Sequence, residues 1–173
     1  MAIRVAPAPY GFSDWEALRE VLARNFAFME GRISPPSSLG AMSAADLEIR
    51  SREETLLLAM AGKQIAGCAY LRFDPDSVYI GKLAIDAPFR SLGLARRIVE
   101  MADVMASKTG RSRLVLQTRV ELVENHETFA RLGFSIASYT SHEGFDRPTS
   151  LTMVRPVQSC WPQMPGARLS DLH

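Results

Sequence analysis

Residues 55–86 hold three apolar runs separated by two tight breaks, and that pattern narrows the possible folds more than any other part of the chain. The run 55–61 is almost wholly apolar, and Gly62-Lys63 interrupts it. Residues 64–73 carry Ile65, Ala66, Cys68, Ala69, Tyr70 and Leu71, and end at the turn Asp74-Pro75-Asp76. Residues 77–86 carry Val78, Ile80, Leu83 and Ile85. Each run is too short for a buried helix and is bounded by turn residues, so the segment is expected to be an antiparallel three-strand meander. A meander must cover its apolar face. Directly after it, Leu94, Ile98, Met101, Ala102 and Met105 form the stripe of a long amphipathic helix, which Gly110 stops near Thr109.

The remaining elements fit around that unit. A first strand is expected over residues 3–8. Ser13-Asp14-Trp15-Glu16 has the form of a capping box for a helix carrying Trp15, Leu18, Val21, Leu22, Asn25 and Phe26. Gly31 and the Ser34-Pro35-Pro36-Ser37-Ser38 run form a loop before a short helix over 43–50. Residues 113–118 read as a buried strand, 124–132 as a short helix ended by Gly133, and 134–139 and 150–154 as closing strands. The expected class is α+β: a mixed, mostly antiparallel sheet of about seven strands with helices on both faces. A length of 173 residues fits one domain, taken as 1–156, with 157–173 as a peripheral tail.

Composition excludes several functions. A net charge of +1 argues against a dedicated nucleic-acid binder, which needs a basic face for phosphate. No apolar stretch approaches the roughly 20 residues of a membrane span, and no secretory leader is visible. Cys68 and Cys160 suggest no disulfide framework, so a soluble protein of the reducing cytoplasm is expected. The histidines and cysteines lack ligand spacing, so no metal is expected. His142-Glu143 begins like a zinc motif but ends on Asp146. Local charge is less balanced. From Arg90 to Arg119, seven Lys and Arg face only Glu100 and Asp103, which favours an anion.

The anion site is expected where the meander meets the helix. In Leu83-Ala84-Ile85-Asp86-Ala87-Pro88-Phe89-Arg90-Ser91-Leu92-Gly93-Leu94-Ala95, a strand ends, a loop follows and a helix begins. Gly93 permits close backbone approach, and the first helical N–H groups have no internal partner. With the helix dipole, this makes a socket suited to a diphosphate. It is not a P-loop, because G-x-x-x-x-G-K-[ST] is absent, and it lacks the G-x-G-x-x-G of a dinucleotide site.

Arg90-Ser91-Leu92-Gly93-Leu94-Ala95 resembles the Q/R-x-x-G-x-G/A acyl-CoA signature of the GNAT N-acetyltransferases, with Ala95 where glycine is commoner. The following strand, the Asn-bearing helix and Leu132-Gly133-Phe134 keep that family's order. The resemblance implies acetyl-CoA as co-substrate. The amides of residues 91–95 would hold its diphosphate, and the backbones of Leu83, Ala84 and Ile85 would pair with the pantetheine arm. Asn125 would contact the pantetheine or thiol region, and Phe129 would lie beside the sulfur. Asn125 could equally cap its helix, and Arg96 and Arg97 either hold a phosphate or are solvated.

The resemblance further implies direct attack of a small-molecule or protein amine on the thioester. Phe129 stands where many relatives have a proton-donating tyrosine, which leaves Tyr79, Tyr139 or water as the acid. His142 is the candidate base; Glu121 and Glu124 lie near the strand end where the site should open, or only favour a helix N-terminus. Arg119 either clamps an acceptor carboxylate or is solvated. Acidic Glu30, Asp46, Glu48, Glu53 and Glu54 hint instead at a cationic amine. A non-catalytic acyl-CoA sensor is the alternative activity, and a domain that has lost the cofactor is a weaker third. A homodimer, with the tail as exchange element, is compatible with the family.

Overall fold

A computed structural model describes residues 2–159; Cys160 and most of the expected tail lie outside the described residues. Strand β1 (Ile3–Pro7) is followed by helices α1 (Trp15–Phe26) and α2 (Ala44–Arg50). Then come the meander β2 (Thr55–Ala61), β3 (Gln64–Phe73) and β4 (Ser77–Ile85), and helix α3 (Leu94–Lys108). β5 (Arg113–Arg119), α4 (Val123–Arg131), β6 (Ser135–Thr140) and β7 (Ser150–Pro156) follow within the described residues. The seven strands form one sheet in the order β1-β2-β3-β4-β5-β7-β6. All neighbours are antiparallel except β4 and β5.

Alternation along the strands sends side chains to two cores. Leu57, Ala59, Ala69, Leu71, Val78, Ile80 and Leu114 pack under Leu94, Ile98, Val99, Ala102 and Ala106 of α3. On the other face, Leu56, Leu58, Ile65, Cys68 and Tyr70 meet Leu18, Val21 and Leu22 of α1 and Leu47 of α2. Tyr70 is fully buried, and its hydroxyl donates to the Leu47 carbonyl at 2.9 Å, which ties α2 to the sheet. Where β3 and β4 run closest, Gly67 has no room for a side chain: a Cβ there would lie 2.8 Å from the Ala84 carbonyl oxygen.

Two irregularities in β4 shape everything that follows. First, Cys68 pairs with Ala84 and Tyr70 with Gly81, so Ala69 alone faces both Lys82 and Leu83. This is a β-bulge, and Lys82 sits in it at φ 51°. The buried Cys68 thiol donates to the Lys82 carbonyl at 3.6 Å, supporting the bulge from below. Second, β4 pairs with β5 only from Ser77 to Tyr79, against Arg113 to Val115. Beyond those three rungs the strands part, and β5 stays paired with β7 along its whole length. The edge of β4 from Ile80 to Ile85 is therefore open.

One expectation about helix starts needs correction. Asp14, not Ser13, precedes α1, and no side-chain cap forms there; Glu16 turns instead to Arg19. The true capping box belongs to α2, where Ser43 and Asp46 exchange hydrogen bonds.

Candidate active site at the fork of the sheet

The loop between β4 and α3 is built to present amides. Asp86, only 4% exposed, closes the strand, accepting from the Ala87 N–H, from Arg24 and from Asn25. Burial alone would raise its carboxyl pKa; the Arg24 guanidinium, with the Ala87 and Asn25 donors, outweighs that and holds it below the ordinary carboxylate value. Arg90 then reaches back, donating to Asn25 Oδ1 at 2.9 Å and to the Ile85 carbonyl at 3.4 Å. After this brace the backbone turns twice through the left-handed region, at Ser91 (φ 65°) and Gly93 (φ 73°). Successive turns of this kind make a concave nest of N–H groups.

Among the described residues, the N–H groups of Ser91 through Arg96 have no protein partner: the preceding amide, Arg90, reaches Ala87, and the next, Arg97, reaches Gly93. Ser91, Leu92 and Gly93 are exposed. These free donors and the positive end of the fifteen-residue α3 open onto a cleft of ≈ 750 Å³. Leu83, Ala84, Ile85, Arg90, Ser91, Gly93, Leu94, Ala95, Asn125 and Phe129 all line it; Leu92 does not. Arg96 lines the cleft too, whereas Arg97 is committed elsewhere, donating to the Ile3 carbonyl at 2.7 Å.

A second, smaller cleft of ≈ 300 Å³ adjoins the first, sharing Phe26, Leu83, Asn125 and Phe129. It occupies the opening between β4 and β5 and brings together Tyr79, Lys82, Thr118, Arg119 and His142. Asn125 is no cap: it is the third residue of α4, whose N-cap is Leu122, and its side chain has no hydrogen-bond partner among the described residues. Phe129 packs edge-on to Phe134, with ring centres 6.2 Å apart, and has no proton to give.

The candidate catalytic side chains differ in readiness. Tyr79 lies under the Arg72 guanidinium, 4.5 Å from its ring centre. Burial raises its phenol pKa more than Arg72 lowers it, so the hydroxyl stays protonated at neutral pH. His142 is less free. Its Nε2 lies 3.3 Å from Arg119 Nη1, which can only donate, so Nε2 must accept and Nδ1–H must donate to Thr149 Oγ1. The lone pair expected to act as base is thus engaged. Glu121 is held by Arg147 and the Ser34 N–H, and Glu124 pairs with Arg32 at 2.6 Å. Tyr139 sits exposed on edge strand β6 and lines neither cleft. Lys82 was not anticipated. It is a charged residue inside an apolar strand, and only the bulge turns it toward the cleft.

The profile of the acetyltransferase (GNAT) family matches residues 15–134. The chain belongs to that family. As a member it is an acyltransferase. No curated protein matches the GNAT chain by sequence. Solved structures resemble it in fold at low identity. The PaiA N-acetyltransferase of Thermoplasma acidophilum, solved with coenzyme A, superposes with a TM-score of 0.72 at 16% identity, over 90% of this chain and 99% of that one. A GNAT acetyltransferase of Staphylococcus aureus gives 0.69 at 13%, over 91% and 100%. One from Elizabethkingia anophelis with acetyl-CoA bound gives 0.63 at 16%, over 89% and 97%.

Proposed function

We propose that this GNAT chain is an N-acetyltransferase that moves acetyl from acetyl-CoA to a primary amine by direct attack. The observation that carries this reading is the run of unpartnered amides at residues 91–96, opening on a cleft that continues along the free edge of β4. The diphosphate lies on those amides, where six donors and a helix terminus meet its charge. The pantetheine arm runs beside Leu83, Ala84 and Ile85 as an added strand, and the thioester reaches the bulge. There a backbone N–H polarises the carbonyl.

The acceptor enters from the smaller cleft. Its ammonium loses a proton to solvent, and the neutral nitrogen attacks the carbonyl carbon. The C–N bond forms as the C–S bond breaks, the sulfur leaves with the electron pair, and the nitrogen sheds its second proton. Positioning two reactants in line is worth about 7–11 kcal/mol of barrier. A thiol pKa near 8.5 lets the sulfur leave without full prior protonation, and Tyr79 is the donor that returns it to a thiol. His142 holds Arg119 rather than acting as base.

Phe129 and the engaged His142 favour one competing reading, a sensor that binds acyl-CoA without turnover. Calorimetric titration with CoA, together with thiol release from acetyl-CoA in the presence of an amine panel, separates the two. Binding with thiol release supports the transferase, binding without release on any amine supports the sensor, and no binding removes both.

A further inference from the structure

Charge in the smaller cleft runs against a cationic acceptor. None of Glu30, Asp46, Glu48, Glu53 and Glu54 lines it, and neither does any other carboxylate. Lys82 and Arg119 do line it, and neither forms an ion pair among the described residues; Glu54 and Glu121 act on them only through space. Lys82 is half-buried, and its ammonium makes no hydrogen bond among the described residues. Arg119 is fixed at its far end, Nη1 to His142 and Nη2 to the Pro35 carbonyl, while its buried Nε has no partner. Thr118, on the same strand, is 7% exposed, and its Oγ1 is also unpartnered. The rest of the wall is mixed, with apolar Met29, Ile33, Leu116 and Leu122 beside polar Ser37, Gln117 and Ser150.

Two cations without an ion pair among the described residues line one small cavity, an arrangement that is costly unless a ligand supplies an anion. A guanidinium with free donors fits a carboxylate in particular. A volume of ≈ 300 Å³ sits at the lower end of small-molecule sites, so the ligand is small. We propose that this cleft takes an acceptor carrying a carboxylate beside its amine, an amino acid or an amine built like one, with the carboxylate held between Lys82 on β4 and Arg119 on β5. The proposal rests on the acetyltransferase reading and narrows it. A polyamine would set a second positive charge against Lys82 and Arg119 and is rejected. Burial lowers the Lys82 pKa, with Arg50 adding to it and Glu54 opposing it; a bound carboxylate would oppose it further.

The test compares binding of matched products, which needs no turnover: N-acetylglycine, N-acetyl-L-leucine and N-acetyl-L-phenylalanine against their carboxamides, by calorimetry on the full chain with CoA present. At least one acid is expected to bind tenfold or more tightly than its amide. Arg119→Met and Lys82→Met should each erase most of that advantage while melting cooperatively. The wild-type comparison stands alone if a variant fails to fold. Equal affinity for acid and amide across all three pairs, no binding of any acid, or tighter binding of N-acetylputrescine overturns the proposal. A parallel titration with CoA alone keeps the two ideas apart: if CoA fails to bind yet the acids still outcompete their amides, the transferase reading falls and the anion pocket stands.

Discussion

Single residues decide whether the donor socket keeps its shape. Gly93 is held at φ 73°, and a Cβ there would meet no atom within 4 Å, so the demand for glycine is conformational rather than steric. A β-branched residue resists that region by about 1–2 kcal/mol. Gly93→Val is therefore expected to weaken CoA binding by about tenfold or more, read by calorimetry, with little change in melting temperature. Phe129→Tyr should fold normally and keep or raise thiol release, because the ring already lines both clefts and gains only a hydroxyl. A folded Tyr variant without activity would mean that the apolar ring itself is required at the sulfur. At Cys68, full burial pushes the thiol pKa up to about 12. In a Cys160→Ser background, Cys68 should resist iodoacetamide at pH 8 until denaturant unfolds the chain, since the thiolate is the reactive form.

Elements were legible where periodicity alone decides, and obscure where a side chain chooses between equivalent partners. The meander turns at Gly62 and Asp74-Pro75-Asp76, and the α3 stripe from Leu94, fix strand and helix type through spacing and breakers, and the structure follows them closely. The capping box was misplaced because Ser13 and Ser43 carry similar local chemistry; Arg19 captures Glu16 in one case, and Asp46 is left free to close the box in the other. The socket at residues 91–95 was visible because glycine and a helix start are local signals. Lys82 was not, because a bulge depends on how β3 and β4 register across the sheet. The same elements give a pH prediction. Asp86 joins β4 to α1 through Arg24 and Asn25, and its folded-state pKa is depressed. Its contribution is complete above its ordinary value of about 4 and is lost as pH falls below it. Asp86→Asn should lower the melting temperature at pH 7 and lose less further stability than wild type on acidification to pH 3.

At the scale of the whole molecule, the sheet is two unequal wings, β1–β4 and β5–β7, joined by three parallel rungs between Ser77–Tyr79 and Arg113–Val115. Helix α3 roofs the join, with its buried residues in one cluster with Val78, Ile80, Leu114 and Leu116. Gly67→Val should destabilise this body, because the new side chain would press on the Ala84 carbonyl as well as on the Ile85 side chain; overpacking of that kind costs about 1–3 kcal/mol, measurable in urea. The short seam has a consequence for how the molecule breathes. Backbone amides of β4 past Tyr79 that face the gap lack a neighbouring strand, so in the empty protein they should trade hydrogen for deuterium sooner than those deeper in the meander. A donor lying along that rim would slow the exchange there selectively. The sheet would then be whole only while cargo is aboard, and the cell's supply of that cargo would help set how long the chain survives.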